Sequence, residues 1–341
     1  MKFFKKNRVF ICVICACLFS VTACCALVCT NVSAPVDAQE SSYIKWFEFD
    51  ATNQILTCAM NNDIASKNDG GVNINWIEVI AVLATKNGGK LSSCKTSDVD
   101  EVCGKMRGGM SAVEISGSEK YYNYYYEGYS AALGGLVGYY EIEEDAPDGS
   151  KQMTRKYGLK GFSPIAKGYG FSHYDDFGAG RTYGFARKHL GNDLMGSVGT
   201  PIIAVESGVV EALGWNMYGG WRIGIRSLDG MRYYYYAHLR KDRPYHASLF
   251  VGKTVTAGDV IGYLGMSGYS TKENTNNINV PHLHFGLELI FDESQKDSNN
   301  EIWIDMYQFV EFLEKNKSSV IKDESKEYNR AYMMRDPAAY E

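Results

Sequence analysis

The stretch Pro281-His282-Leu283-His284-Phe285 carries two imidazoles two residues apart. On an extended strand such residues point to the same face, so both rings aim at one spot. Upstream, His189-Leu190-Gly191-Asn192-Asp193 adds a third imidazole and a carboxylate. A spacing of four keeps His189 and Asp193 on one side of a strand, and also of a helix. Gly191 between them argues against a regular helix. Nitrogen and carboxylate donors of this kind suit zinc, and a three-ligand set leaves one position for water. His238 brings a further imidazole from a third segment, whereas His173 and His246 stand apart. The string His173-Tyr174-Asp175-Asp176 shortly precedes His189 and reads either as a segment lining or blocking a groove or as a polar surface turn.

The elements that must hold these groups are short. From about residue 161, Gly, Tyr, Val and Ile dominate in brief runs broken by turns. Val205 to Leu213 alternates around Gly208, and Trp221 to Arg226 alternates more cleanly. Leu228-Asp229-Gly230 then supplies a hairpin turn, and Met231 to His238 returns as a strand. Val260 to Gly265 is another short strand. This predicts an antiparallel β domain to about Phe291, closed by a helix over 304–313. The polar, asparagine-rich loop 271–279 runs into the histidine strand and is either a groove wall or a solvated connection.

Residues 41–140 read as mainly helical. The clearest helix spans 76–86, capped by Asn75, with Glu78 completing a capping-box pattern and Gly88-Gly89 ending it. A second apolar stretch holds Tyr125, Tyr129, Leu133, Leu136 and Val137 around Gly134-Gly135. The tyrosines of 121–129 form either a stacking surface for sugar or peptide or a packing face. The charged segment 143–156, with Pro147-Asp148-Gly149, is a linker or a hairpin. The fold class is therefore α+β and multidomain: an anchor over 1–40, a helical N-terminal module over 41–145, a linker over 146–160, a β-rich domain over 161–315, and a polar, loosely ordered tail over 316–341.

The 341 residues carry a formal net charge of −5 and no basic block, which argues against nucleic acid as a partner. Lys2, Lys5, Lys6 and Arg8 precede an apolar run from Val9 to Cys29, the grammar of an export segment. The run is about as long as a spanning helix, roughly 20 residues. An uncleaved anchor, cleavage after Ala34 or Ala38, and lipid attachment at Cys24 all remain open. Each puts the rest of the chain outside the cytoplasm. Beyond that run only Cys58, Cys94 and Cys103 remain, either with a Cys94–Cys103 bridge or as reduced buried thiols.

The string His-x-Gly-x-Asp at 189–193 in its longer form His189-Leu190-Gly191-Asn192-Asp193, the string Tyr236-Ala237-His238-Leu239, and His282-Leu283-His284-Phe285 together resemble the M23 family of zinc metallopeptidases, the LytM/lysostaphin-type peptidoglycan hydrolases. Val255 to Gly262 and Gly265 to Ser270 are similar to that family's glycine-rich hairpins. The resemblance covers roughly 188–286 and implies a β-rich, LytM-like metallopeptidase domain. It implies one zinc ion held by His189, Asp193 and His284, with His238 and His282 as the catalytic pair. The HExxH helix of other zinc proteases is absent from the sequence, so no glutamate base is expected. The implied activity is hydrolysis of amide bonds in the peptide part of peptidoglycan by a membrane-anchored or secreted enzyme of the cell envelope, with envelope protein partners reached through the helical module. A non-catalytic or dual-role envelope scaffold is the alternative, although every ligand and both catalytic histidines are in place. A lipoyl- or biotinyl-type carrier barrel would need a cytoplasmic address and has no use for the histidines.

Overall fold

A computed structural model describes residues 43–68, 70–296 and 298–340. The apolar run over 9–29, with Cys24 and the cleavage positions, lies outside the described residues. No described helix is long and apolar enough to cross a membrane.

Helices come first in the chain: α1 Asn53–Asn68, α2 Trp76–Lys86, α3 Thr96–Arg107, α4 Ala112–Ser116 and α5 Glu119–Leu133. The expected helix α2 begins where the Asn75 side chain accepts hydrogen bonds from the backbone N–H groups of Ile77 and Glu78. It is apolar around most of its circumference, from Trp76 to Ala84, and accordingly forms the buried centre of the helical layer. Tyr122 and Tyr129 are buried, so this part of the tyrosine cluster is a packing face, while Tyr121 stays exposed. The apolar stretch beyond Leu133 does not continue the helix. Val137 instead opens a strand.

The strands are β1 Val137–Asp145, β2 Lys151–Leu159, β3 Ser172–His173, β4 Gly180–Arg181, β5 Arg187–Lys188, β6 Asn192–Met195, β7 Pro201–Ile203, β8 Gly208–Asn216 and β9 Gly220–Ser227. They continue as β10 Arg232–Ala237, β11 Thr254–Val255, β12 Val260–Tyr263, β13 His282–Leu289 and β14 Ile302–Ile304. Helix α6 Tyr307–Leu313 and the strands β15 Val320–Lys322, β16 Tyr328–Arg330 and β17 Met334–Arg335 complete the chain. The main sheet is antiparallel, in the order β11-β8-β9-β10-β13-β6-β3, with β14 also paired to β13. The closing helix is shorter than expected because Ile302–Ile304 is drawn into the sheet: Ile304 pairs with Leu287.

Strand pairing decides two further segments, one local and one over a long sequence separation. The 143–156 segment is the hairpin: β1 and β2 pair in register from Val137↔Leu159 to Asp145↔Lys151. The tail is ordered, because β17 adds to β1 through Glu141↔Arg335 and Ile142↔Met334. Met334 is buried against Phe162 and Tyr263, and Lys160 donates to the buried Asp336 at 2.8 Å. Cys58, Cys94 and Cys103 are free thiols, so the Cys94–Cys103 bridge is not formed.

One hydrophobic cluster runs from Ile55 and Val79 in the helices through Phe309 and Phe312 to Leu283 and Phe285 behind the histidine strand. Trp76 stacks on Phe312 at 5.8 Å. A buried polar joint crosses the same boundary. Arg232, fully buried, donates to both oxygens of Glu206 and to the carbonyls of Ser130 and Ala131 at the end of α5. Tyr234 Oη also donates to Glu206. Gly135 is required here, since a Cβ at that position would overlap the Glu206 carboxylate. Removing the acid leaves the buried guanidinium with only the half-exposed Asp229 carboxylate, 2.6 Å from Nη2, as counter-charge. Glu206→Ala is therefore expected to lower unfolding free energy by about 3–5 kcal/mol, read as a shift in the urea midpoint. A variant as stable as the parent would show that the joint carries little.

Candidate metal centre and its groove

Three adjacent strands bring the polar groups together. β13 lies between β6 and β10, and the register sets Asp193 opposite His284 on one side and Ala237 opposite His284 on the other. His282 precedes His284 by two on β13, so the two rings share a face, as the spacing implied. His238 is the residue after β10. Its backbone takes φ 59, unusual for a side-chain-bearing residue, as the chain turns off the strand end. The turn is held by the His238 N–H to Gly219 carbonyl bond at 2.7 Å. His189 does not share a strand with Asp193. It follows β5 and is separated from β6 by a bend at Gly191. A Cβ on Gly191 would come within 3.0 Å of the His284 ring and closer still to the Phe285 carbonyl, so the glycine is what lets His284 close against this bend.

The donors converge. His189 Nε2 lies 2.7 Å from His284 Nδ1 and 3.1 Å from Asp193 Oδ1, and His284 Nδ1 lies 3.4 Å from the same oxygen. Donors around a tetrahedral zinc ion, each about 2.0–2.2 Å from it, stand roughly 3.3–3.5 Å apart. Asp193 Oδ1 is buried and has no hydrogen bond of acceptable geometry, an oxygen that a cation would satisfy. The Asp193 distances approach that spacing, and the 2.7 Å between the two nitrogens is the closer separation of a hydrogen-bonded pair. It is therefore the donor types and the orphaned oxygen that fit a divalent ion of the zinc type. His282 Nε2 is 3.6 Å from Asp193 Oδ1, and its ring centroid is 4.8 Å from that of His238.

A shell that sequence reasoning missed orients the donors. The His189 Nδ1–H faces the Asp176 carboxylate at 3.1 Å, which leaves Nε2 to face His284 and Asp193. Asp176 Oδ1 also accepts the Asp193 backbone N–H at 3.2 Å. Arg181 donates to Asp176 at 2.6 Å and to the outer Asp193 oxygen at 3.2 Å. The segment around His173 is therefore neither a surface turn nor a plug. Its strand β3 pairs with β6 and carries Asp176 to the back of His189. His173 itself is packed on Tyr307 with ring centroids 4.6 Å apart, and burial pushes its pKa down to about 4. His246 bonds Ser248 and lies away from the other histidines.

Charge follows from this packing. Burial opposes a charge on His189, but the Asp176 and Asp193 carboxylates outweigh it and lift the imidazole to about 9. Burial likewise opposes ionisation of Asp193, yet the imidazoles of His189, His284 and His282 hold its carboxyl far below the usual range. Burial and the neighbouring imidazoles of His282 and His284 push His238 well below its ordinary value. His238 Nδ1 faces the Ser267 carbonyl at 2.9 Å and His282 Nδ1 faces the Val280 carbonyl at 2.8 Å. Donation there turns each Nε2 toward the groove, and in the neutral ring that nitrogen carries the lone pair. All five groups line a groove of about 340 Å³ walled by Tyr218, Tyr235, Tyr269 and Trp303. Asn277, Ile278 and Asn279 of the 271–279 loop form part of its wall.

Residues 187–298 match the sequence profile of Peptidase family M23. The L-Ala–D-Glu endopeptidase of Bacillus subtilis is 38% identical over 117 residues, covering 34% of this chain and 34% of that protein. The chain thus spans about a third of the length of this curated relative. The catalytic domain of lysostaphin from Staphylococcus simulans is 30% identical, over 41% of this chain and 92% of that domain, with a TM-score of 0.32. A structure from Ruminococcus gnavus described as a glycyl-glycine endopeptidase of the lytM type aligns over 81% of this chain and 92% of its own, with a TM-score of 0.51 at 22% identity. That likeness supports the fold.

In protein stripped of metal, His189 is expected to be protonated at pH 7, and a metal ion must displace that proton. Zinc titration by calorimetry in buffers of different ionisation heat should show release of about one proton at pH 7. Apparent affinity should climb from pH 7 to 9 and then level off as His189 loses its proton unaided. Uptake of zinc without proton release would contradict this arrangement. Asp176→Ala should weaken zinc binding roughly 10–100-fold in a chelator competition.

Proposed function

From the chain's membership of Peptidase family M23, carried by residues 187–298, we propose that it is a zinc endopeptidase that hydrolyses amide bonds in the peptide part of bacterial peptidoglycan. The observation that carries the reading is the gathering of His189, Asp193 and His284 donor atoms within 4.8 Å, with two more imidazoles beside them. In this reading His189 Nε2, Asp193 Oδ1 and His284 Nδ1 hold one zinc ion. When bound, the ion supplies Lewis acidity that activates water and polarises the scissile carbonyl.

The chain's own groups handle the proton. His238 and His282 each anchor Nδ1–H on a backbone carbonyl and present Nε2 to the groove. Neutral His238 is suited to accept a proton or to share one with His282, the centroids being 4.8 Å apart. One imidazole takes the proton of the attacking water, and the protonated ring returns it to the leaving amine. While it holds that proton, the imidazolium also stabilises the negative charge developing on the carbonyl oxygen, and the second ring lies beside it at a 4.8 Å centroid distance. The aromatic walls at Tyr218, Tyr235 and Trp303 limit water and line the path of an extended peptide.

The substrate places the working domain outside the cytoplasm, in the cell envelope, which agrees with the export grammar of residues 2–29. The helical layer of 44–133 is proposed to position the peptidase domain at the wall, directly or through envelope proteins.

Purified peptidoglycan should release peptide fragments with new amino termini, identified by mass spectrometry. His282→Ala and His238→Ala should each keep zinc yet lose roughly 10²–10⁴-fold in rate. Asp193→Ala should lose both zinc and activity. A zinc-loaded parent that leaves every wall intact would contradict the assignment.

A further inference from the structure

The groove is cationic in an acidic protein. The chain carries a net −5, yet the groove is lined by Arg181, Arg187 and Lys188 against one carboxylate, Asp193. Arg181 is committed to Asp176 and Asp193. Arg187 and Lys188 have no acidic partner among the described residues. Both belong to β5, the strand that leads into His189, so their charge lies beside the proposed scissile position.

Arg187 is held in place. Its guanidinium carbon lies 4.7 Å from the Tyr218 ring centroid and 5.6 Å from that of Tyr269. Nη1 donates to the Tyr183 carbonyl at 2.8 Å, and Nη2 approaches the Tyr269 hydroxyl at 3.4 Å. Tyr183 and Tyr269 stack at 4.7 Å, which fixes both supports. A guanidinium has five N–H donors, and these contacts leave at least three for a ligand. An aromatic-backed, pre-ordered guanidinium loses little rotamer freedom when it binds a carboxylate, and Lys188, exposed, adds longer-range attraction.

We propose, resting on the peptidoglycan hydrolase reading, that this groove selects a stem peptide bearing free carboxylates over an uncharged polyglycine bridge, with Arg187 as the residue that reads the charge. A polyglycine segment offers no side-chain anion to Arg187 or Lys188. A stem peptide carries carboxylates within a few bonds of its amides, and each can pair with the guanidinium in a charge-assisted hydrogen bond. Neither cation touches the proton-handling imidazoles, so the selection acts on binding and orientation of the substrate.

The test uses one batch of peptidoglycan without glycine bridges, half of it treated with carbodiimide and ammonia so that its carboxylates become amides, and a polyglycine-bridged wall alongside. Initial release of amino groups is measured for the zinc-loaded parent, Arg187→Gln, Arg187→Lys and Lys188→Gln, with zinc content and circular dichroism as folding controls. The parent should cut the untreated wall roughly tenfold faster or more. Arg187→Gln should bring the two walls near parity, chiefly by raising KM on the untreated one. Arg187→Lys should recover part of the preference, and added salt should erode it. Should Arg187→Gln fail to fold, a preference weakened by Lys188→Gln and by salt supports the proposal. Equal cutting of both walls by the parent, faster cutting of a polyglycine-bridged wall, or a salt-insensitive preference unchanged by the folded variants overturns it. No cutting of any wall removes the hydrolase reading itself, and this selection with it.

Discussion

The site depends on strand register. β13 is hydrogen-bonded to β6 on one side and β10 on the other, and a single pairing frame sets Asp193, His284 and Ala237 abreast. Because side chains alternate, a slip of one residue in β6 would turn the Asp193 carboxylate to the opposite face of the sheet. The frame is fixed from behind by apolar side chains. Leu283, Phe285 and Leu194 are fully buried between the polar positions and enter the core that α6 and the helical layer share. The hydrophobic core thus sets the coordinates of the donors through the residues that alternate with them along β6 and β13.

Burial of so many ionisable groups also needs a distribution of charge. Asp193 and Asp176 hold His189 cationic in the absence of metal, while His238 and His284 stay neutral through burial and mutual repulsion. Arg181 offsets the outer oxygens of the same two carboxylates. The result is a cluster with a proton where a divalent cation would fit. The Asp176–Arg181 shell fixes which nitrogen of His189 faces inward and narrows the ring's freedom to turn. Away from the centre, the Arg232–Glu206 joint ties the end of α5 to the main sheet, so the helical layer is bound to the strand that leads to His238.

Much of this was legible in the sequence. The His282/His284 pair, the turn at Leu228-Asp229-Gly230 and helix α2 with its Asn75 cap are local features, set by periodicity and turn chemistry within a few residues. The convergence of His189 and Asp193 was also readable, but not the bend at Gly191 that produces it, which depends on contact with His284 ninety residues later in the chain. Asp176 and Arg181 were out of reach for a similar reason: their spacing to His189 carries no motif, and only the pairing of β3 with β6 and of β4 with β5 brings them there. The tail looked unstructured because its residues are polar. Its order comes from β17 completing the edge of β1 and from the Lys160–Asp336 pair, interactions spanning most of the chain.

The most direct measurement is a crystal structure of the zinc-loaded protein with anomalous data collected at the zinc edge. The account predicts one strong peak bonded to His189 Nε2, an Asp193 carboxylate oxygen and His284 Nδ1, with His238 and His282 beside it but outside bonding distance. A peak elsewhere, or an Asp193 carboxylate rotated away from the ion, would contradict it.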